Sequence, residues 1–90
     1  FMIREKLIVS GQVAEGGIRY FAQMKASGLS LTGFAKRGAE GTILLEVQGE
    51  KNNIEKFKEV LRKGNGFFKV ADIMSENISV IENEKIFSIK

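Results

Sequence analysis

The chain contains no cysteine and no histidine. That absence excludes disulfides, thiol nucleophiles, Ser-His-Asp triads and the usual zinc sites together. Any chemistry therefore falls to arginine, lysine, carboxylates, amides, hydroxyls, the single tyrosine or the backbone. Proline is also absent, so the ten glycines supply the punctuation. No apolar run approaches the ~20 residues that a membrane helix requires. The N-terminus opens directly into a strand-like alternation and shows no secretory signal. Phe1 precedes Met2 and reads as a remnant of tag removal, with Met2 as the natural start. The lack of cysteine accords with a cytoplasmic location.

What is present fits one soluble globular domain over residues 1–90. Hydrophobic residues make up 43% and charged residues 28%, a balance that argues against disorder. The net charge of +3 is mild. Nucleic-acid binding would want a clustered basic stripe with interleaved aromatics, and the sequence has none. Asp72, Glu76, Glu82 and Glu84 show no ligand spacing and read as solubility charges, so no metal site is expected.

The periodicity orders the elements. Leu7 to Ser10 reads as a strand that Ile3 and Glu5 extend, and Gly11 to Gly17 reads as a glycine-containing loop. From Ile18 the period becomes helical, with Ile18, Phe21, Met24 and Lys25 at helical spacing, Ala22 and Gly28 on the same side, and Gly28 as the stop. Leu31–Arg37 and Thr42–Gln48, joined across Gly38–Gly41, read as a β-hairpin. Asn52 offers a helix cap with Glu55 three residues on. Ile54, Phe57, Val60 and Leu61 then form an apolar stripe, with Lys56, Lys58, Glu59 and Arg62 facing out, until Gly64 closes the helix. Phe68–Met74 and Ile86–Lys90 complete the strands. The order βαββαβ predicts an α+β sandwich of the ferredoxin-like kind. Its antiparallel sheet carries both helices on one face, and a short extra strand ends the chain. Tyr20 is expected to be partly exposed, Phe21 and Phe57 to be core, and Phe67 and Phe68 to cover a sheet end.

Residues 11–19 read G-Q-V-A-E-G-G-I-R, followed by Tyr20 and Phe21. This resembles the acylphosphatase signature G-x-V-Q-G-V-G-F-R-x-F, with Gly11, Val13, Gly17, Arg19 and Phe21 matching. The second family motif, G-W-V-x-N followed by D-G-T-V, is similar to Gly33 to Arg37 and Glu40 to Ile43. Val47 to Glu50, Phe57 to Gly64 and the closing I-F-S-I-K also sit where the family has similar stretches. The resemblance covers nearly the whole chain.

It implies hydrolysis of carboxyl-phosphate mixed anhydrides without metal or cofactor. The implied site is the set of backbone N–H groups of Glu15, Gly16, Gly17, Ile18 and Arg19, with the Arg19 side chain binding phosphate and stabilising charge. Elementary physics agrees, because a helix N-terminus with unpaired N–H groups is an anion site. The guanidinium fork also matches phosphate oxygens. The family's water-positioning asparagine corresponds to Arg37, which has donors only and cannot accept a hydrogen bond from the nucleophile. Thr42 or a backbone carbonyl is the substitute acceptor to look for.

Ala14, Glu15 and Gly16 also depart from the pattern. Glu15 turned inward would repel phosphate; turned outward it would pair with Arg37 or Lys36. Gly16-Gly17 should loosen the loop. The alternative to hydrolysis is a non-catalytic phosphate-binding or anion-binding module on the same fold. The expected ligand in either case is a small phosphorylated metabolite or inorganic phosphate, on a monomer or an edge-strand homodimer.

Overall fold

A computed structural model describes residues 1–90. Five strands, β1 (Met2–Gln12), β2 (Thr32–Arg37), β3 (Ile43–Glu50), β4 (Lys69–Ile78) and β5 (Phe87–Ile89), form one sheet in the order β4-β1-β3-β2-β5. Helices α1 (Ile18–Gly28) and α2 (Lys51–Lys63) connect them. The four longer strands pair antiparallel, as the motif order predicts. The short β5 departs from that pattern: it runs parallel to β2, so the sheet is mixed. The cause is its route. Residues 79–86 carry the chain across the sheet from the β4 edge to the β2 edge.

Odd-numbered side chains of β1, β2 and β3 face the helices. Leu7, Val9, Ala35, Ile43, Leu45 and Val47 bury there against Ile18, Ala22 and Ala26 of α1 and Ile54, Phe57 and Leu61 of α2. Alternation at period two meeting a helical stripe is what makes this one core. In α1 the buried line is Ile18-Ala22-Ala26; Met24 lies outside it and is exposed. Small alanines let α1 approach the sheet closely. Phe21 is half-buried and packs edge-on against Phe68, with centroids 5.3 Å apart.

Several local expectations are corrected. Asn52 does not cap α2: Glu50 holds the cap position without a side-chain bond, and Asn52 lies inside the first turn. Glu55 instead reaches forward to Lys58, 3.2 Å away. Lys58 does not face out. It is buried, with Nζ 2.6 Å from Glu5 Oε1 beneath the helix. Gly28 ends α1, but the left-handed residue that turns the chain is Ser30, at φ 58°. The Phe pair divides, with Phe68 buried and Phe67 exposed.

Glu84 is no idle surface charge. It receives two hydrogen bonds from Arg4, at 2.8 and 3.2 Å, on the face away from the helices. Arg4 also donates to Glu46 and Gln48, and Gln48 exchanges two bonds with the backbone of Ile81. This network straps residues 79–86 over the sheet. Burial pulls the Arg4 pKa down, but the bonds it donates to Glu84 and Glu46, with their negative charge, outweigh it and leave it raised. Burial pushes the Glu84 carboxyl up, and the Arg4 bonds more than reverse that, so it sits below its ordinary 4.5.

Candidate active site

The site begins where β1 stops. Gln12 is the last strand residue, and Val13, fully buried, pins the chain to the core. Ala14 to Gly17 then run exposed until Ile18 buries again and starts α1. Two anchors five residues apart hold an exposed loop between them.

The loop's conformation depends on its two glycines for different reasons. Gly16 has φ 91°, and a Cβ there would lie 2.3 Å from the Phe67 carbonyl oxygen. Gly17 has φ 72° and ψ 29°, the left-handed region, with open space around it. Far from loosening the loop, Gly16 seats it against the residue preceding Phe68.

Gly17 caps α1 with no side-chain bond. The first helical bond is Phe21 N–H donating to Gly17 O, at 3.0 Å. None of the N–H groups from Ala14 to Tyr20 donates to a protein acceptor. A run of unpaired donors at the positive end of a helix is suited to a tetrahedral oxyanion.

Arg19 lies in the first turn of α1. Its Nη1 donates to the Lys90 backbone oxygen at 3.3 Å, and Lys90 N–H donates to Ala35 O at 2.9 Å. The guanidinium is therefore held towards the β2 side of the sheet. Arg37 closes β2 two residues after Ala35. Register links Val9 to Ile43 and Ile43 to Arg37, so Arg37 lies at the loop's end of the sheet and on the helix-facing side. Its side chain is exposed and makes no hydrogen bond or ion pair. The fold thus brings the loop, Arg19 and Arg37 to one end of the molecule. No sequence spacing signalled the tether from Arg19 to Lys90, because its partners are 71 residues apart.

The remaining expectations sort clearly. Glu15 is exposed and belongs to none of the ion pairs, so its anticipated pairing with Lys36 or Arg37 does not form. Thr42 is unsuited to replace the asparagine. Its hydroxyl donates to Ala39 O at 2.7 Å, and it lines a pocket with Lys6 and Ile8 on the opposite face of the sheet.

Comparison with known proteins gives a consistent result. The Acylphosphatase family model matches residues 5–89. An acylphosphatase of Clostridium beijerinckii is 48% identical over 89 residues, covering 99% of each chain. The crystal structure of acylphosphatase from Bacillus subtilis superposes with a TM-score of 0.90 at 33% identity, covering 98% of both chains. An acylphosphatase structure from Coxiella burnetii gives 0.89 at 29% identity, covering 99% of this chain and 93% of that one. No helix is long and apolar enough to cross a membrane.

Proposed function

The chain belongs to the acylphosphatase family and is an acylphosphatase-like hydrolase, and on that premise we propose how its own residues serve the reaction. The amides from Glu15 to Arg19 hold the phosphoryl oxygens of an acyl phosphate. The Arg19 guanidinium completes the cradle. The observation that carries this reading is the unbroken set of unpaired N–H groups from Ala14 to Tyr20 at the start of α1.

The chemistry suits a chain without histidine. Water attacks phosphorus, a new P–O bond forms, and the bond from phosphorus to the acyl oxygen breaks. The leaving group is a carboxylate, stable at neutral pH, so no general acid is needed; the water's protons pass to solvent and phosphate. Catalysis then consists of positioning and of compensating negative charge in the transition state, which fixed amides and a guanidinium supply. Tethering Arg19 through Lys90 removes rotamer freedom before substrate arrives.

Arg37 sets the limit on rate. It adds positive charge near the phosphoryl group but accepts no hydrogen bond from water. We expect hydrolysis to be slow for that reason, with Arg37→Asn raising kcat by about tenfold or more, since orientation of a nucleophile is worth several kcal/mol. The same Arg37 favours a second reading, in which residues 1–90 are a domain that binds phosphate without turnover. Steady-state hydrolysis of benzoyl phosphate by the parent and the Arg37→Asn variant separates the two. A gain in kcat supports the hydrolase limited by Arg37; equal turnover by both would count against Arg37 as the limit, and no turnover by either, with phosphate still bound, would favour the binding module.

A further inference from the structure

We infer that a cleft beside the loop, lined by Gln12, Lys63, Phe67 and Lys69, is a second anion subsite. It would favour acyl phosphates whose acyl group carries a further negative charge. The inference rests on the loop acting as the phosphoryl cradle.

The cleft has a volume of about 390 Å³. It adjoins the loop directly. Gln12 is the last residue of β1 before the loop and pairs in register with Lys69, the first residue of β4. Gly16 rests on the Phe67 carbonyl. Lys63 ends α2 from above. Along the chain, only Val13 and Ala14 separate Gln12 in the cleft from Glu15, the first residue of the cradle.

Its charge is one-sided. Arg62, Lys63 and Lys69 line it and no carboxylate does. The Arg62 guanidinium is engaged by Glu59 at 2.6 Å, but Lys63 and Lys69 enter none of the ion pairs. Lys63 has a structural task, facing the partial negative charge at the end of α2. Lys69 has no such task, so its ammonium is left for a ligand. Phe67, 81% exposed, offers an apolar wall on which the carbons between the two charges can lie.

The test compares succinyl phosphate with butyryl phosphate, which match in chain length and differ by the distal carboxylate. In the parent protein KM should be lower for the succinyl compound. Lys69→Met should raise that KM roughly three- to fivefold, the size of an exposed charge pair. It should leave both kcat values and the butyryl KM unchanged, and the difference should shrink in high salt. Equal KM values in the parent, or an equal change for both substrates in the variant, would overturn the subsite. Calorimetric binding of 5-phosphonopentanoate, which sets its two charges as far apart as succinyl phosphate does, against pentylphosphonate repeats the comparison without turnover. A preference for the carboxylated phosphonate that Lys69→Met abolishes supports the subsite. Equal affinities refute it while sparing the cradle, and binding of neither refutes both.

Discussion

Gly16 and Gly17 look interchangeable as neighbours in a sequence, yet the structure separates them, and alanine at each position measures by how much. At Gly17 the penalty is conformational. Placing a Cβ in the left-handed region costs about 1–2 kcal/mol, and the stiffer unfolded chain returns about 0.4–1 kcal/mol. A net loss of roughly 1 kcal/mol follows. At Gly16, φ 91° is strained for alanine by about 1–3 kcal/mol. The Cβ would also meet the Phe67 carbonyl oxygen at 2.3 Å and its carbon at 2.7 Å, where ordinary contact starts at 3.4 Å. Both are backbone atoms that cannot swing aside, and forced displacement of packed atoms adds about 1–3 kcal/mol. Gly16→Ala should therefore destabilise by roughly 2 kcal/mol more than Gly17→Ala. For a domain of this size that is a gap of roughly 8–16 °C in Tm. Thermal unfolding followed by circular dichroism reads it directly. Equal Tm values for the two variants would refute the seating of the loop on Phe67.

Other outcomes follow from the strap and the buried pair. Arg4→Ala leaves Glu84, Glu46 and Gln48 without their common donor and should cost about 3–5 kcal/mol in urea unfolding, because breaking a buried pair strands its partners. Glu84 has a folded pKa below 4.5, so its stabilisation is fully present above that value and is lost as pH falls through the folded value. Unfolding free energy should fall with pH below about 4.5, more steeply in the parent than in Glu84→Gln. Lys58→Ala should cost about 3–5 kcal/mol by leaving Glu5 buried and unpaired, whereas Lys58→Met combined with Glu5→Leu should be close to neutral.

The framework was readable because it is local and periodic. The loop expected over Gly11 to Gly17, whose first two residues the structure gives to β1, the hairpin around Gly38–Gly41 and the stripe Ile54-Phe57-Val60-Leu61 each announce themselves through spacing. The features that were not readable depend on partners distant in sequence. Lys58 looks like a solvated helix residue until the fold sets Glu5 under it. Glu84 looks like surface charge until Arg4, 80 residues away, meets it. β4 continues to Ile78 through Ser75, Glu76 and Asn77, because an exposed edge strand needs no apolar alternation. At the site, the type and order of residues were legible, but what holds them was not. Neither the Lys90 tether on Arg19 nor the Phe67 carbonyl beneath Gly16 leaves a trace in local pattern.

The most direct test of the central claim is hydrolysis of benzoyl phosphate by the purified protein with Arg19→Ala alongside, checking that both share the same thermal unfolding. The account predicts a measurable rate in the parent that falls by at least a hundredfold in the variant, the scale for losing a key transition-state donor at about 3 kcal/mol or more. An unchanged rate in a folded Arg19→Ala protein would contradict it, because the cradle at the start of α1 would then not be where the phosphoryl group reacts.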